Sequence, residues 1–284
     1  MRWTHDKAWS WYRSFPWICG FNYIPSIAVN STEMWQQETF DLKTIDRELG
    51  WAENIGFNSC RVFLQYLVWQ DDPDGLINRI DQFLKIAATH GLSTMFCLFD
   101  DCAFSGKQPY LGRQDDPIPG VHNSAWTPSP GHERVTNRSF WPQLKKYVTS
   151  IISRFRKDQR ILAWDIYNEP GNANLGDKSL PLLHEAFKWA RESKPQQPLT
   201  TGVWNKKLEK ITETILELSD IITFHNYDDL SAVQNQISWL KSYQRPIICT
   251  EWMARPRGSL FQTCLLYTSP SPRDLSTSRM PSSA

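Results

Sequence analysis

Trp17-Ile18-Cys19-Gly20-Phe21-Asn22-Tyr23-Ile24-Pro25-Ser26 reads as an apolar strand that runs into a turn without a glycine. A doubly wound dinucleotide fold needs Gly-x-Gly-x-x-Gly at that point, so that the backbone can close on a pyrophosphate. Outward from this stretch the chain alternates two periodicities. Strands are expected at residues 17–23, 60–64, 93–99, 161–167, 199–203, 221–224 and 247–250. Helices are expected at 40–55, 76–90, 144–155, 182–190, 211–218 and 233–240. Leu42, Ile45, Leu49 and Ala52 give the first helix its three- and four-residue spacing, and Gly91 stops the second. Near-continuous apolar strands, each followed by a helix, make a parallel sheet covered by helices. No later strand carries the glycine fingerprint. Residues 171–179 imitate a phosphate loop but place one residue too many before Lys178. The expected fold class is α/β, a (β/α)8 TIM barrel with seven strands countable.

Composition removes several function classes. The 284 residues hold 31 Lys+Arg against 30 Asp+Glu, and a net charge of +1 is no footprint for nucleic acid. With 40% hydrophobic residues the chain can build a core, which excludes global disorder. No apolar run approaches the roughly 20 residues of a membrane span, and Met1-Arg2-Trp3 opens no secretory signal. The expectation is a monomer, cytoplasmic as written, with neither nucleic acid nor membrane as partner. Cys19, Cys60, Cys97, Cys102, Cys249 and Cys264 form no CxxC pair and read as free thiols. The excess is aromatic: 14 Trp, 14 Phe and 9 Tyr suit a ligand with flat apolar faces.

Two carboxylates stand out by position. Glu169 ends the fourth strand, in Trp164-Asp165-Ile166-Tyr167-Asn168-Glu169-Pro170, and Glu251 ends the seventh, in Ile247-Ile248-Cys249-Thr250-Glu251-Trp252. Barrel strands converge at their C-terminal ends, so these groups can face each other across the mouth. Two carboxyls about 5 Å apart can cleave a glycosidic bond, one as acid/base and one as nucleophile. Asp165 shares a strand face with Glu169 by alternation and is expected as a buried partner of Arg61. The connection at residues 100–139, with five prolines, Tyr110, Trp126, His122 and His132, is long enough to be functional and is expected as an ordered wall over the cleft.

Asn168-Glu169-Pro170, His225-Asn226-Tyr227 and Thr250-Glu251-Trp252 together resemble the retaining glycoside hydrolases of clan GH-A. The likeness is greatest to family 5 and its cellulase, mannanase and xylanase relatives, and runs over about residues 17–261. It implies that Glu169 is the acid/base and Glu251 the nucleophile. It also implies that Asn168 binds the sugar 2-hydroxyl, that Tyr227 holds the nucleophile's carboxylate, and that Arg61 keeps that carboxylate ionised. His225 matches a substrate-binding histidine. The family's usual histidine after the third strand is missing, since Phe99-Asp100-Asp101 stands there. The implied substrate is a β-1,4-linked glucan, mannan or xylan, with no cofactor. Trp69, Trp126, Trp204 and Trp252, at or beyond strand ends, are expected to stack on sugar faces. Trp35, Trp51, Trp189 and Trp239 are expected in the core.

Other chemistries lack their spacing. Cys97, Cys102, His122, His132 and Asp100-Asp101 show neither CxxC nor HExxH, so no metal site is expected. Asp71-Asp72-Pro73-Asp74-Gly75 reads as a turn and helix cap, and a Gly-x-Ser-x-Gly elbow is absent. The alternative of another class is a catalytically inactive, carbohydrate-binding barrel. Residues 264–284 change composition abruptly, with six serines, three prolines and no helical period. They resemble translated sequencing-adaptor read-through. The expectation is a catalytic domain at 1–263 that lacks its eighth β-α unit, followed by a non-native tail.

Overall fold

The computed structural model describes residues 2–254. Along them run α1 (His5–Arg13), β1 (Gly20–Asn22), α2 (Ser31–Trp35), α3 (Leu42–Asn54), β2 (Ser59–Phe63), α4 (Tyr66–Asp71), α5 (Pro73–Thr89) and β3 (Ser93–Asp100). Then come α6 (His132–Thr136), α7 (Trp141–Phe155), β4 (Ile161–Asn168), α8 (Leu180–Glu192), β5 (Leu199–Thr200) and β6 (Gly202–Val203). The last are α9 (Glu209–Leu218), β7 (Ile222–Asn226), α10 (Leu230–Lys241) and β8 (Ile247–Trp252). All ladders are parallel, in the orders β1-β2-β3-β4-β5 and β6-β7-β8.

The strand expected at 199–203 is split between β5 and β6, because the Thr201 N–H leaves the ladder for Ser219 Oγ at 3.3 Å. Counted as one position, β5 and β6 complete seven strands of a (β/α)8 barrel. The row curls round, since Asn22 Nδ2 of β1 donates to Thr250 O of β8 at 2.8 Å. Among the described residues no ladder joins β8 to β1. The expected tail at 264–284 lies outside the described residues, as does Cys264.

Alternation within strands sorts the side chains. Val62, Phe96, Leu98, Trp164, Ile166 and Phe224 point outward to the helices and are at most 1% exposed. They meet helical stripes such as Ile45, Leu49 and Ala52 on α3 and Leu144, Tyr147, Val148, Ile151 and Phe155 on α7. Each such large side chain contributes about 1.5–3 kcal/mol by leaving water. The other face carries Met95, Cys97 and Ala163 beside polar residues, with Arg61 bonded to Asp165 inside the barrel. A separate apolar cluster (Trp3, Ala8, Met95, Leu162, Ala163 and Ile221) ties α1 to the N-terminal half of the strands.

Some expectations need correction. Trp51 is 58% exposed on α3, off the Ile45–Leu49–Ala52 stripe, with the Arg47 guanidinium over its ring. Trp69 is no sugar platform: α4 turns it inward, buried between the rings of Tyr66 and Tyr147. Trp35 and Trp189 are core, and Trp239 is half-buried against it. The first strand is shorter than expected, and α1, α2, α4 and α6 were not anticipated. Asp72 does cap α5, accepting from Gly75 N at 2.9 Å. Among the described residues, Cys19, Cys60, Cys97, Cys102 and Cys249 are free thiols, and no helix is long and apolar enough to cross a membrane.

Candidate active site

β4 delivers Asn168 to the C-terminal end of the barrel, and the chain then turns sharply. Glu169 sits at φ 45°, a left-handed conformation that costs a non-glycine residue on the order of 1–3 kcal/mol and is held only where the surroundings impose it. Asp101, fully buried just past β3, supplies part of that hold by accepting from Gly171 N at 2.7 Å, Tyr167 Oη at 2.6 Å and Ser179 Oγ at 2.5 Å. Burial pushes the Asp101 carboxyl up to about 7 although these three donors favour its charge.

Glu251 comes from β8, in register with His225 of β7. Arg61 Nη1 donates to Glu251 Oε1 at 2.6 Å, and the Tyr227 hydroxyl donates to Oε2. Burial alone would favour the protonated acid. The His225 and Arg61 charges, with the bonds from Tyr227 and Arg61, outweigh it and hold the carboxyl below the usual range. Arg61 is itself fixed by Asp165 Oδ2, 2.6 Å from Nη2, and by Asn168 Oδ1 at 2.7 Å. Burial opposes its charge, while Asp165 and Glu251 sustain it.

His225 bridges the two glutamates. Its Nδ1 lies 2.8 Å from Glu169 Oε1 and its Nε2 3.6 Å from Glu251 Oε1. Burial disfavours the imidazolium, but both carboxylates together raise it above the ordinary histidine value. Gly202 makes room for this ring: a Cβ there would stand 2.6 Å from Nε2. One oxygen of each glutamate and one ring nitrogen all lie within 4.8 Å of one another. These three could also hold a divalent cation, against the repulsion of the Arg61 guanidinium. Carboxyls with oxygens this close suit the shorter separation, about 5–5.5 Å, at which a nucleophile and an acid/base act on one anomeric carbon.

The structure thus brings together Arg61, Asn168, Glu169, His225, Tyr227 and Glu251. Trp204 flanks them, its Nε1 on Pro170 O at 3.2 Å, and lines an open cleft of about 520 Å³ with Asn172, Asn174 and Asn205. Trp126 is half-buried, edge-on to Phe63, and donates Nε1 to Asp100 Oδ2 at 2.7 Å. Trp252 ends β8, half-buried and paired in register with Asn226. His122 is exposed and packs against Phe104.

Sequence reasoning missed four residues. Asp100 accepts from Asn168 Nδ2 at 2.8 Å, and burial raises its carboxyl to about 6. Asp101 anchors the turn. Asn172 and Cys102 both reach Glu169 Oε2, at 2.6 and 3.2 Å. The paired aspartates at the end of an apolar strand were the available signal. Nothing local marked Cys102 or Asn172.

Comparisons with known proteins bear on the fold and the family. No curated protein sequence matches the chain. Among solved structures, an endo-1,4-beta-mannanase from Rhizomucor miehei superposes with a TM-score of 0.57 at 18% identity, over 83% of this chain and 77% of that one. The endo-beta-1,4-mannanase from Thermotoga petrophila gives 0.55 at 15% identity, over 84% and 61%. GH5_18 from Streptomyces cattleya, in complex with GlcNAc, gives 0.56 at 11%, over 82% and 61%. The chain thus spans about three fifths of the length of the latter two proteins, and at these identities the likeness shows the barrel fold. In sequence, residues 26–262 match the cellulase family, and with most of its length in that match the chain belongs to glycosyl hydrolase family 5.

Proposed function

We propose that this chain is a retaining glycosidase acting on a β-1,4-linked polysaccharide, with Glu251 as nucleophile and Glu169 as acid/base. The observation that carries the reading is the asymmetry of the pair. Glu251 is held ionised by Arg61, His225 and Tyr227, and it lies within 4.8 Å of a carboxyl that, among the described residues, has no arginine on it. In the first step a Glu251 oxygen bonds to the anomeric carbon. The glycosidic C–O bond breaks, and Glu169 gives its proton to the departing oxygen. In the second, Glu169 takes a proton from water, the water oxygen bonds to the same carbon, and Glu251 leaves. Asn168, locked between Arg61 and Asp100, presents its amide to the 2-hydroxyl. Two of the neighbours are endo-acting mannanases, which favours mannan as the first polymer to try against glucan and xylan.

Glu251→Ala should abolish turnover on every substrate, because no glycosyl-enzyme can form. Glu169→Ala should keep the first step on a dinitrophenyl glycoside, whose leaving group needs no proton, and added azide should restore its turnover. Equal loss on activated and unactivated substrates, without azide rescue, would reverse or remove the assignment. Binding of oligosaccharide with no hydrolysis by the unaltered chain would favour the inactive, carbohydrate-binding barrel.

A further inference from the structure

The turn after β4 folds back on its own glutamate. Asn172 N donates to Glu169 O at 3.0 Å, closing a turn over Pro170 and Gly171. That brings the Asn172 side chain to Glu169, where Nδ2 donates to Oε2 at 2.6 Å. Its Oδ1 accepts from Ala173 N at 2.5 Å, so the amide is oriented with its NH2 toward the carboxyl. From the other side Cys102 places Sγ 3.2 Å from the same Oε2. Asn172 Nδ2 and Asn168 Nδ2 both point at this sulfur, at 3.3 and 3.5 Å, which leaves the thiol proton for the carboxylate. Burial and the neighbouring Asp100 and Glu169 carboxyls push the Cys102 thiol up, so it keeps that proton at neutral pH.

We infer that Asn172 and Cys102 are positioning residues for Glu169: together they grip Oε2 while His225 takes Oε1, and so fix the rotation of the acid/base carboxyl. That terminal torsion is otherwise soft in a glutamate. A fixed carboxyl presents the same face to the leaving oxygen in the first half-reaction and to the attacking water in the second. The inference rests on the assignment of Glu169 as acid/base.

Full-length Asn172→Ala, Asn172→Asp, Cys102→Ala and Cys102→Ser proteins are compared on a dinitrophenyl glycoside and on an unactivated oligosaccharide of the same sugar. Asn172→Ala is expected to lower kcat on the oligosaccharide by about tenfold to a hundredfold with little change in KM, since roughly 1 Å of misplacement costs that much. Its kcat/KM on the dinitrophenyl glycoside should stay near the unaltered protein's. Cys102→Ala should follow the same pattern more weakly, and Cys102→Ser, which keeps a donor, should recover. Asn172→Asp is isosteric and stays informative if the alanine variants fold poorly. A second carboxylate against Glu169 should move the alkaline limb of its pH–rate profile to higher pH. Equal losses on both substrates with the limb unmoved would leave an ordinary structural role and overturn the inference, and so would unchanged kinetics throughout. Glu169→Ala separates the two levels. If azide fails to rescue it, the acid/base assignment itself falls; if azide rescues it and these variants show no substrate selectivity, only the positioning role falls.

Discussion

At Glu251 a handful of atoms reverses what burial would do. Tyr227 is one of the groups responsible, and its own hydroxyl is pushed up by burial and by the adjacent carboxylate, so it remains a donor across the working range. Tyr227→Phe removes a hydrogen bond that stabilises only the ionised carboxyl, which makes that carboxyl more basic. The nucleophile must be ionised to act. The acid limb of the pH–rate profile should therefore move upward, by about one pH unit if the bond is worth about 1.5 kcal/mol in this setting. A profile that keeps its acid limb while kcat falls would assign Tyr227 to substrate contact instead. Gly202 shows the same scale in steric form, since the His225 ring can sit between the glutamates only where no Cβ intrudes.

Among the elements, the loop at residues 101–131 has the closest link to the site. It is stitched back to the barrel by the paired backbone bonds of Asp100 and Ser129, at 2.6 and 2.9 Å. Trp126 then reaches Asp100 Oδ2, and Asp100 Oδ1 reaches Asn168, so a ring on the loop is one carboxylate away from the residue proposed to bind the 2-hydroxyl. Trp126→Ala should raise KM for long oligosaccharides more than for short ones, roughly two- to thirteenfold for an aromatic contact worth about 0.5–1.5 kcal/mol. Equal weakening at every chain length, or a large drop in melting temperature, would place Trp126 in the core. The long helices were legible because their stripes repeat every three or four residues. Trp69 was not, because residues 66–71 are too few to show a period before α4 turns them inward.

For the whole molecule, Asp220 is the tie between the chain's start and its later strands. Wholly buried, it accepts from Trp3 N at 2.7 Å, Leu199 N at 2.8 Å and both Arg191 nitrogens at 2.7 and 2.8 Å. Asp220→Ala strands two buried backbone donors and removes the counter-charge of Arg191, which keeps a bond to Leu218 O at 2.9 Å. The expected cost is about 3–5 kcal/mol, the usual range for breaking a buried ion pair. Denaturant unfolding measures it, and a loss below about 1 kcal/mol, the size of an exposed pair, would mean that water replaces the carboxylate. Because Asp220 is remote from Glu169 and Glu251, kcat of the folded fraction should not change.

The alternation of strands and helices, the barrel class and the strand-end positions of Glu169 and Glu251 are legible in the amino-acid order alone. Those properties are written in local periodicity and in short motifs, and Arg61, Asn168, His225 and Tyr227 followed from the family resemblance. What surrounds these residues depends on how the folded strands come together. Cys102 meets Glu169 across 67 residues and Arg61 meets Glu251 across 190, and no local pattern encodes a contact between two strand ends. Asp100, Asp101 and Asn172 look like loop residues in the sequence. The convergence of the parallel strands turns them into the frame of the site, because side chains at successive strand ends are neighbours only once the sheet has curled.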